Sequence, residues 1–242
     1  RSETVDRRQV LLIAWPIILS NLSTPLLGVV DTAVIGNLGD PALIGAIAVG
    51  SLIFSFIFWG FGFLRMGTTG LIAQAAGAED HTEVKTTLYR ALLLAACIGA
   101  SLTLLQAPIL KLAFRLIEGS TAVESAAQAY FSIRIWAAPV SLIHLVILGY
   151  LLGQQQTTAI LWLQLLLNGT NIILDFLFVV GFGWGVSGVA AATAIAEVLA
   201  ATAGLTLVYR HLRTNYQDYP VSLAEVVEVH ALRRTMAVNR DI

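Results

Sequence analysis

The sequence predicts an all-α polytopic membrane protein, a six-helix transmembrane bundle, and three observations carry that prediction. Of its 242 residues, 57% are hydrophobic and 12% charged, and the mean hydropathy is +0.80; a water-soluble fold of this size cannot cover so much apolar surface. The apolar residues fall into runs long enough to cross a hydrocarbon layer, which takes roughly 20 residues of helix. Short breaks rich in Gly, Pro, Asp and charge separate these runs.

The spans are placed near 9–33, 43–76, 86–113, 124–152, 158–180 and 186–209. Only helices can cross singly, because the bilayer core offers no water to unpaired backbone groups. The first run is too long for a signal peptide and lacks a small-residue cleavage site, so it reads as an uncleaved span, although the chain begins at Arg1 and not at Met. The second run exceeds a bilayer's thickness, which predicts tilt or projection past Arg65. Residues 1–209 are thus predicted to form one transmembrane lobe. Residues 210–242 form a polar linker in which Pro220, Ser222 and Glu225 suggest a capped amphipathic helix at the membrane surface. The chain stops at Ile242 as if cut from a longer protein.

Charge location gives the orientation. Arg1, Arg7, Arg8, Lys85, Arg90, Arg210, Arg213, Arg233, Arg234 and Arg240 fall on one side, and only Lys111 and Arg115 on the other. Positive residues are retained on the cytoplasmic side, so both ends are predicted to be cytoplasmic. The net charge of -1 supplies no basic field for nucleic acid. The lone Cys97 excludes an intrachain disulfide and a CxxC pair.

Charged groups at bilayer depth cost roughly 2.5–3.5 kcal/mol on insertion scales, so those inside the spans are candidate functional residues. In the fifth span Gln164, Asn168, Asn171 and Asp175 are spaced 4, 3 and 4 residues apart and share one face of a helix. Their oxygens are hard donors suited to H⁺ or Na⁺; the plainer alternative is that Asn168 and Asn171 only bond neighbouring helices. In the first span Asn21, Thr24, Gly28 and Asp31 share a face, and Pro16 and Pro25 interrupt the helical ladder. Asp31 belongs either to the bundle interior or to the outer interface, where an aspartate is tolerated. Taken alone, Pro16 reads as a fixed kink. In the sixth span Glu197 follows Thr193 by one turn; it serves either proton exchange or helix packing. The fourth span carries Tyr130, Arg134, Pro139 and His144. Arg134 pairs with a carboxylate or serves packing, and His144 reads as a core histidine. Arg65 snorkels to the surface. No P-loop, GxSxG, HExxH or dinucleotide turn is present, so no enzyme is expected, and any transport would draw on an ion gradient.

The stretches "WPIILSNLSTPLLGVVDTAVIGNLG" and "NGTNIILDFLFVVGFGWGVSGVAAATAIAE" resemble the multidrug and toxic compound extrusion (MATE) transporters, in particular their DNA-damage-inducible protein F branch. The resemblance covers the chain from about Arg8 onward. It implies the N-terminal lobe of a twelve-helix antiporter that exports amphipathic or cationic organic compounds in exchange for H⁺ or Na⁺, with no cofactor. It implies a multi-pass protein of a bacterial or archaeal cytoplasmic membrane. Its partners are then the lipid bilayer, a small organic substrate and a second six-helix lobe of the same polypeptide. The family's cation site maps onto Asp31, Asn171 and Asp175, with Tyr130 and Thr193 adjoining and Pro16 as the bending proline. Asn168 and Glu197 are supporting candidates from the residues themselves. Two other readings stay open: a lipid or polyprenyl-carrier flippase, and a scaffold subunit whose polar stripes only hold helices together.

Overall fold

The computed structural model describes residues 15, 18–19, 29–36, 40–117 and 120–227. Pro16, Asn21, Thr24, Pro25 and Gly28 lie outside the described residues, as does the amphipathic tail beyond residue 227. The first helix, α1, is described over 29–36. Asp40 then caps α2 (Pro41–Gly60) by accepting a hydrogen bond from the Ala42 amide at 2.9 Å, with Pro41 pre-set for the first turn. A break at Phe61 and Gly62 separates α2 from α3 (Phe63–Gly77), and together they form a 37-residue span.

Asp80 caps α4 (His81–Leu104), accepting from the Glu83 amide at 3.0 Å. The sequence reading carries this span to residue 113, but the helix ends at Leu104 and α5 (Gln106–Leu116) starts anew. Pro108 is the physical reason: it has no N–H to give the Leu104 carbonyl, and its ring crowds that oxygen. Ser120 caps α6 (Thr121–Arg134), and a 3₁₀ turn at Ile135–Ala137 precedes α7 (Ala138–Gly153), again with a proline, Pro139, just inside the new helix. Helix α8 (Thr157–Asp175) passes into a π-helical turn, Phe176–Gly181. Helix α9 (Gly185–Asn215) runs 31 residues without a break, and α10 (Leu223–Val227) follows. Five helical units among the described residues are long and apolar enough to cross a membrane, which makes the chain a multi-pass membrane protein. Their outward faces carry Phe56, Trp59, Trp136, Trp162 and Ile173, exposed apolar side chains that suit lipid.

Two apolar clusters hold the helices together. One joins α1, α2, α6 and the start of α9 through Ile35, Ile47, Phe54, Phe131 and Val189; the other joins α3, α4, α7 and the end of α9 through Ile72, Leu88, Val146, Ile147 and Val208. Helix α7 packs on both α3 and α4. Its approach to α4 is made at Gly99, where an added Cβ would overlap the Pro139 backbone.

The segment after α9 is clamped to α4. Lys85 donates to the Tyr216 and Tyr219 carbonyls. Arg90 donates from Nε (3.0 Å) and Nη2 (2.8 Å) to the Glu225 carbonyl and from Nη1 to Glu83 at 2.9 Å. Ser222 and Glu225 cap α10 reciprocally, each side chain accepting the other's backbone N–H. Charge-assisted hydrogen bonds of this kind contribute about 1.5–3 kcal/mol each. The Arg90→Ala variant is therefore expected to be cut within residues 216–227 at least tenfold faster by added protease, with its helical circular dichroism unchanged. A wild-type cleavage rate would show that the clamp contributes nothing.

Candidate functional site

Three carboxylates lie in the described interior of the spans, and each was marked by its position in an apolar run: Asp31 on α1, Asp175 at the end of α8 and Glu197 on α9. The helices bring the first two together. Asn171 and Asp175 are fully buried, with 0% exposure, and Asp31 is 7% exposed. In the orientation that pairs its amide with its neighbours, Asn171 donates from Nδ2 to Asp175 Oδ2 at 3.0 Å and to Asp31 Oδ1 at 3.3 Å. Its carbonyl oxygen then accepts from the Thr193 backbone N–H at 3.2 Å and from the Thr193 hydroxyl at 3.1 Å. One buried amide thus bridges α1, α8 and α9. This follows from the spacing read in the sequence: Asn171 and Asp175 are one turn apart, so both point across the same helix face toward α1 and α9. Asp31 lies in this interior, not at an exposed interface.

Were both carboxylates ionised they would repel each other, with little water present to screen them. Asp175 Oδ1 is buried with no protein hydrogen-bond partner among the described residues, so it has an acceptor position to offer. Carboxylate, amide and hydroxyl oxygens are the donors that H⁺ or a hard cation such as Na⁺ accepts. Asn168, one turn below Asn171, is also buried, and its Nδ2 is unpartnered among the described residues.

The second polar centre is built around Glu197. The Arg134 Nη2 donates to Glu197 Oε1 at 3.2 Å, and its Nη1 donates to the Tyr130 hydroxyl at 2.8 Å. The guanidinium lies 4.9 Å from the centre of the Phe54 ring, a favourable cation–π position. Ser141 donates to Glu197 Oε2. Arg134 also lies within electrostatic reach of Asp31. Tyr130 meets the second centre through Arg134, and its buried ring fits against α2 because Gly50 has no side chain to obstruct it. Ser141 was not singled out from the sequence; its only signal is a position three residues before His144 on the same helix face.

Comparison with known proteins gives the family. The MatE family model matches residues 16–177, well over half of the chain. DNA damage-inducible protein F of Escherichia coli is 43% identical over 230 residues, which cover 95% of this chain and 50% of that protein. The probable multidrug resistance protein NorM of Thermotoga maritima is 28% identical over 201 residues, 81% of this chain and 43% of that one. A solved MOP superfamily transporter from Pyrococcus furiosus shares the fold with a TM-score of 0.81 at 21% identity, over 96% of this chain and 51% of that chain. The chain spans about half the length of the relatives it matches. On the family match, supported by the bundle of membrane-crossing helices, the chain belongs to the multidrug and toxic compound extrusion family, MatE.

Proposed function

We propose that this chain is one six-helix lobe of a secondary transporter that exports amphipathic or cationic organic compounds in exchange for H⁺ or Na⁺. Residues 1–209 form the lobe and 210–242 lead to a second lobe. The observation that carries the reading is the buried Asn171 amide between Asp31 and Asp175. A scaffold has no use for two carboxylates facing one another inside a bilayer, where each is unfavourable.

The mechanism is a competition. With the outer site empty of cation, the two carboxylates repel and attract a cationic substrate to the lobe. When H⁺ or Na⁺ binds among Asp31, Asn171 and Asp175, that repulsion is relieved, the α1–α8–α9 junction tightens, and the substrate loses its counter-charge. Each ligand acts only through its different affinity for the two arrangements, so ion and substrate drive each other in opposite directions. Tyr130, Asn168, Thr193 and Glu197 support the site. The basic residues Lys85, Arg90, Arg210 and Arg213 gather at one end of the bundle, which supports a cytoplasmic placement for that end in a bacterial or archaeal inner membrane.

The test is reconstitution of the full-length polypeptide in liposomes loaded with a cationic dye. An imposed proton or sodium gradient is expected to drive dye movement against its own gradient, and collapsing the gradient with an ionophore to stop it. Dye movement that ignores both gradients would sink the antiport reading; movement of a fluorescent lipid in its place would favour a flippase.

A further inference from the structure

The outer carboxylate site accounts for Asp31, Asn171, Asp175 and Thr193 but leaves a second set of polar side chains unexplained, and these continue from it toward the other face of the membrane. From Asp175 the α8 stripe descends through Asn171 and Asn168 to Gln164, eleven residues or about 16 Å of helix, more than half of a hydrocarbon layer of about 30 Å. On α9, Glu197 sits one turn, about 6 Å, below Thr193. Beside it a half-open cavity of about 140 Å³ is lined by Phe58, Ser141, His144, Leu145, Leu167 and Glu197. A water molecule takes about 30 Å³ of liquid, so the cavity has room for several. His144 is 6% exposed. Gln164 and Glu197 are its polar neighbours, yet neither ring nitrogen makes an aligned hydrogen bond among the described residues.

We propose that Glu197 and His144 form an inner proton relay that connects the outer carboxylates to the cytoplasmic face through this cavity, which makes H⁺ the coupling ion. The relay rests on the antiport reading above and adds to it a path and an ion. Carboxylate and imidazole chains are the usual carriers of protons inside membranes. One proton moves at a time. It leaves the Asp31–Asp175 pair and binds a Glu197 carboxylate oxygen, weakening that oxygen's bond with Arg134. It then passes to a ring nitrogen of His144 and leaves through the cavity, whereupon Glu197, again ionised, recaptures Arg134.

Among the described residues, the charged and titratable groups that face the relay are few. Helix α6 presents Arg134 and Tyr130, α7 presents Ser141 with His144 itself, and α3 presents Arg65. Among the described residues, α8 contributes the neutral Gln164 and Leu167, and α2 the rings of Phe54 and Phe58. Arg134 holds Glu197 in place and is a positioning residue.

The test uses the full-length polypeptide in liposomes with an imposed pH gradient. Positioned acid–base groups accelerate proton transfer by about 10²–10⁴-fold, so His144→Ala is expected to slow pH-driven dye efflux at least tenfold. Because the cavity is half-open, added imidazole is expected to restore the rate. Glu197→Gln, close in shape, is expected to slow efflux to the same degree with no revival by imidazole. A wild-type protein without pH-driven efflux would overturn the transporter reading and the relay with it. An active wild type with an equally active His144→Ala variant would overturn the relay alone. So would a slowed His144→Ala variant that melts like wild type but gains nothing from imidazole.

Discussion

Replacing Asp175 with Asn is expected to abolish ion-driven efflux while leaving the protein folded. Asparagine has the shape of aspartate and still offers Asn171 an oxygen in place of Asp175 Oδ2, so the bridge between α1, α8 and α9 survives. What disappears is the negative charge that a cation would neutralise. Coupling free energies between ligands are typically 1–3 kcal/mol, about 5–150-fold in affinity, and without the charge the ion no longer distinguishes the two arrangements. Gradient-driven efflux from liposomes is therefore expected to fall to the level seen without a gradient, while the melting temperature stays within a few degrees of wild type. Asp31→Asn is expected to give the same kind of loss. Full efflux by Asp175→Asn would show that this carboxylate is not the coupling group.

The second large effect is on stability and lies far from the carboxylates. Gly99→Val is expected to destabilise the bundle by about 3 kcal/mol, the upper end of the usual overpacking cost. The added Cβ meets the backbone of Pro139, and no change of rotamer moves a backbone out of the way. Helices α4 and α7 would have to separate, opening the cluster that contains Leu88, Val146 and Ile147. At about 2–4 °C per kcal/mol for a chain of this size, the melting temperature is expected to drop by roughly 6–12 °C. Gly70→Ala is the control: nothing lies within 4 Å of the added Cβ there, and alanine favours a helix by up to about 1 kcal/mol over glycine. Equal melting of Gly99→Val and wild type would refute the close approach.

Much of this was legible in the residues. Spans show as apolar runs because the bilayer demands them, and Asp31, Asn171 and Asp175 show as exceptions to those runs. The spacing of Gln164, Asn168, Asn171 and Asp175 fixes their common face without any knowledge of the neighbouring helices. What the spacing lacks is the register of one helix against another. Glu197 and Arg134 are 63 positions apart, and nothing in either span says that they meet or that Ser141 completes the group. The clamp made by Lys85 and Arg90 was hidden for a similar reason, because its acceptors are backbone carbonyls, which every residue has. Helix α5 departs from the predicted span because a single proline outweighs a run of apolar neighbours.

Helix α9 reaches from the buried carboxylate site, which Thr193 touches, to Asn215, next to the tyrosine whose carbonyl Lys85 grips. The stretch from Thr193 to Asn215 amounts to about 33 Å of stiff strut. Any tilt imposed at Thr193 is delivered as leverage at Tyr216, just past the end of the helix. The Asp31–Asp175 pair and the segment that follows α9 are thus the two ends of one mechanical part.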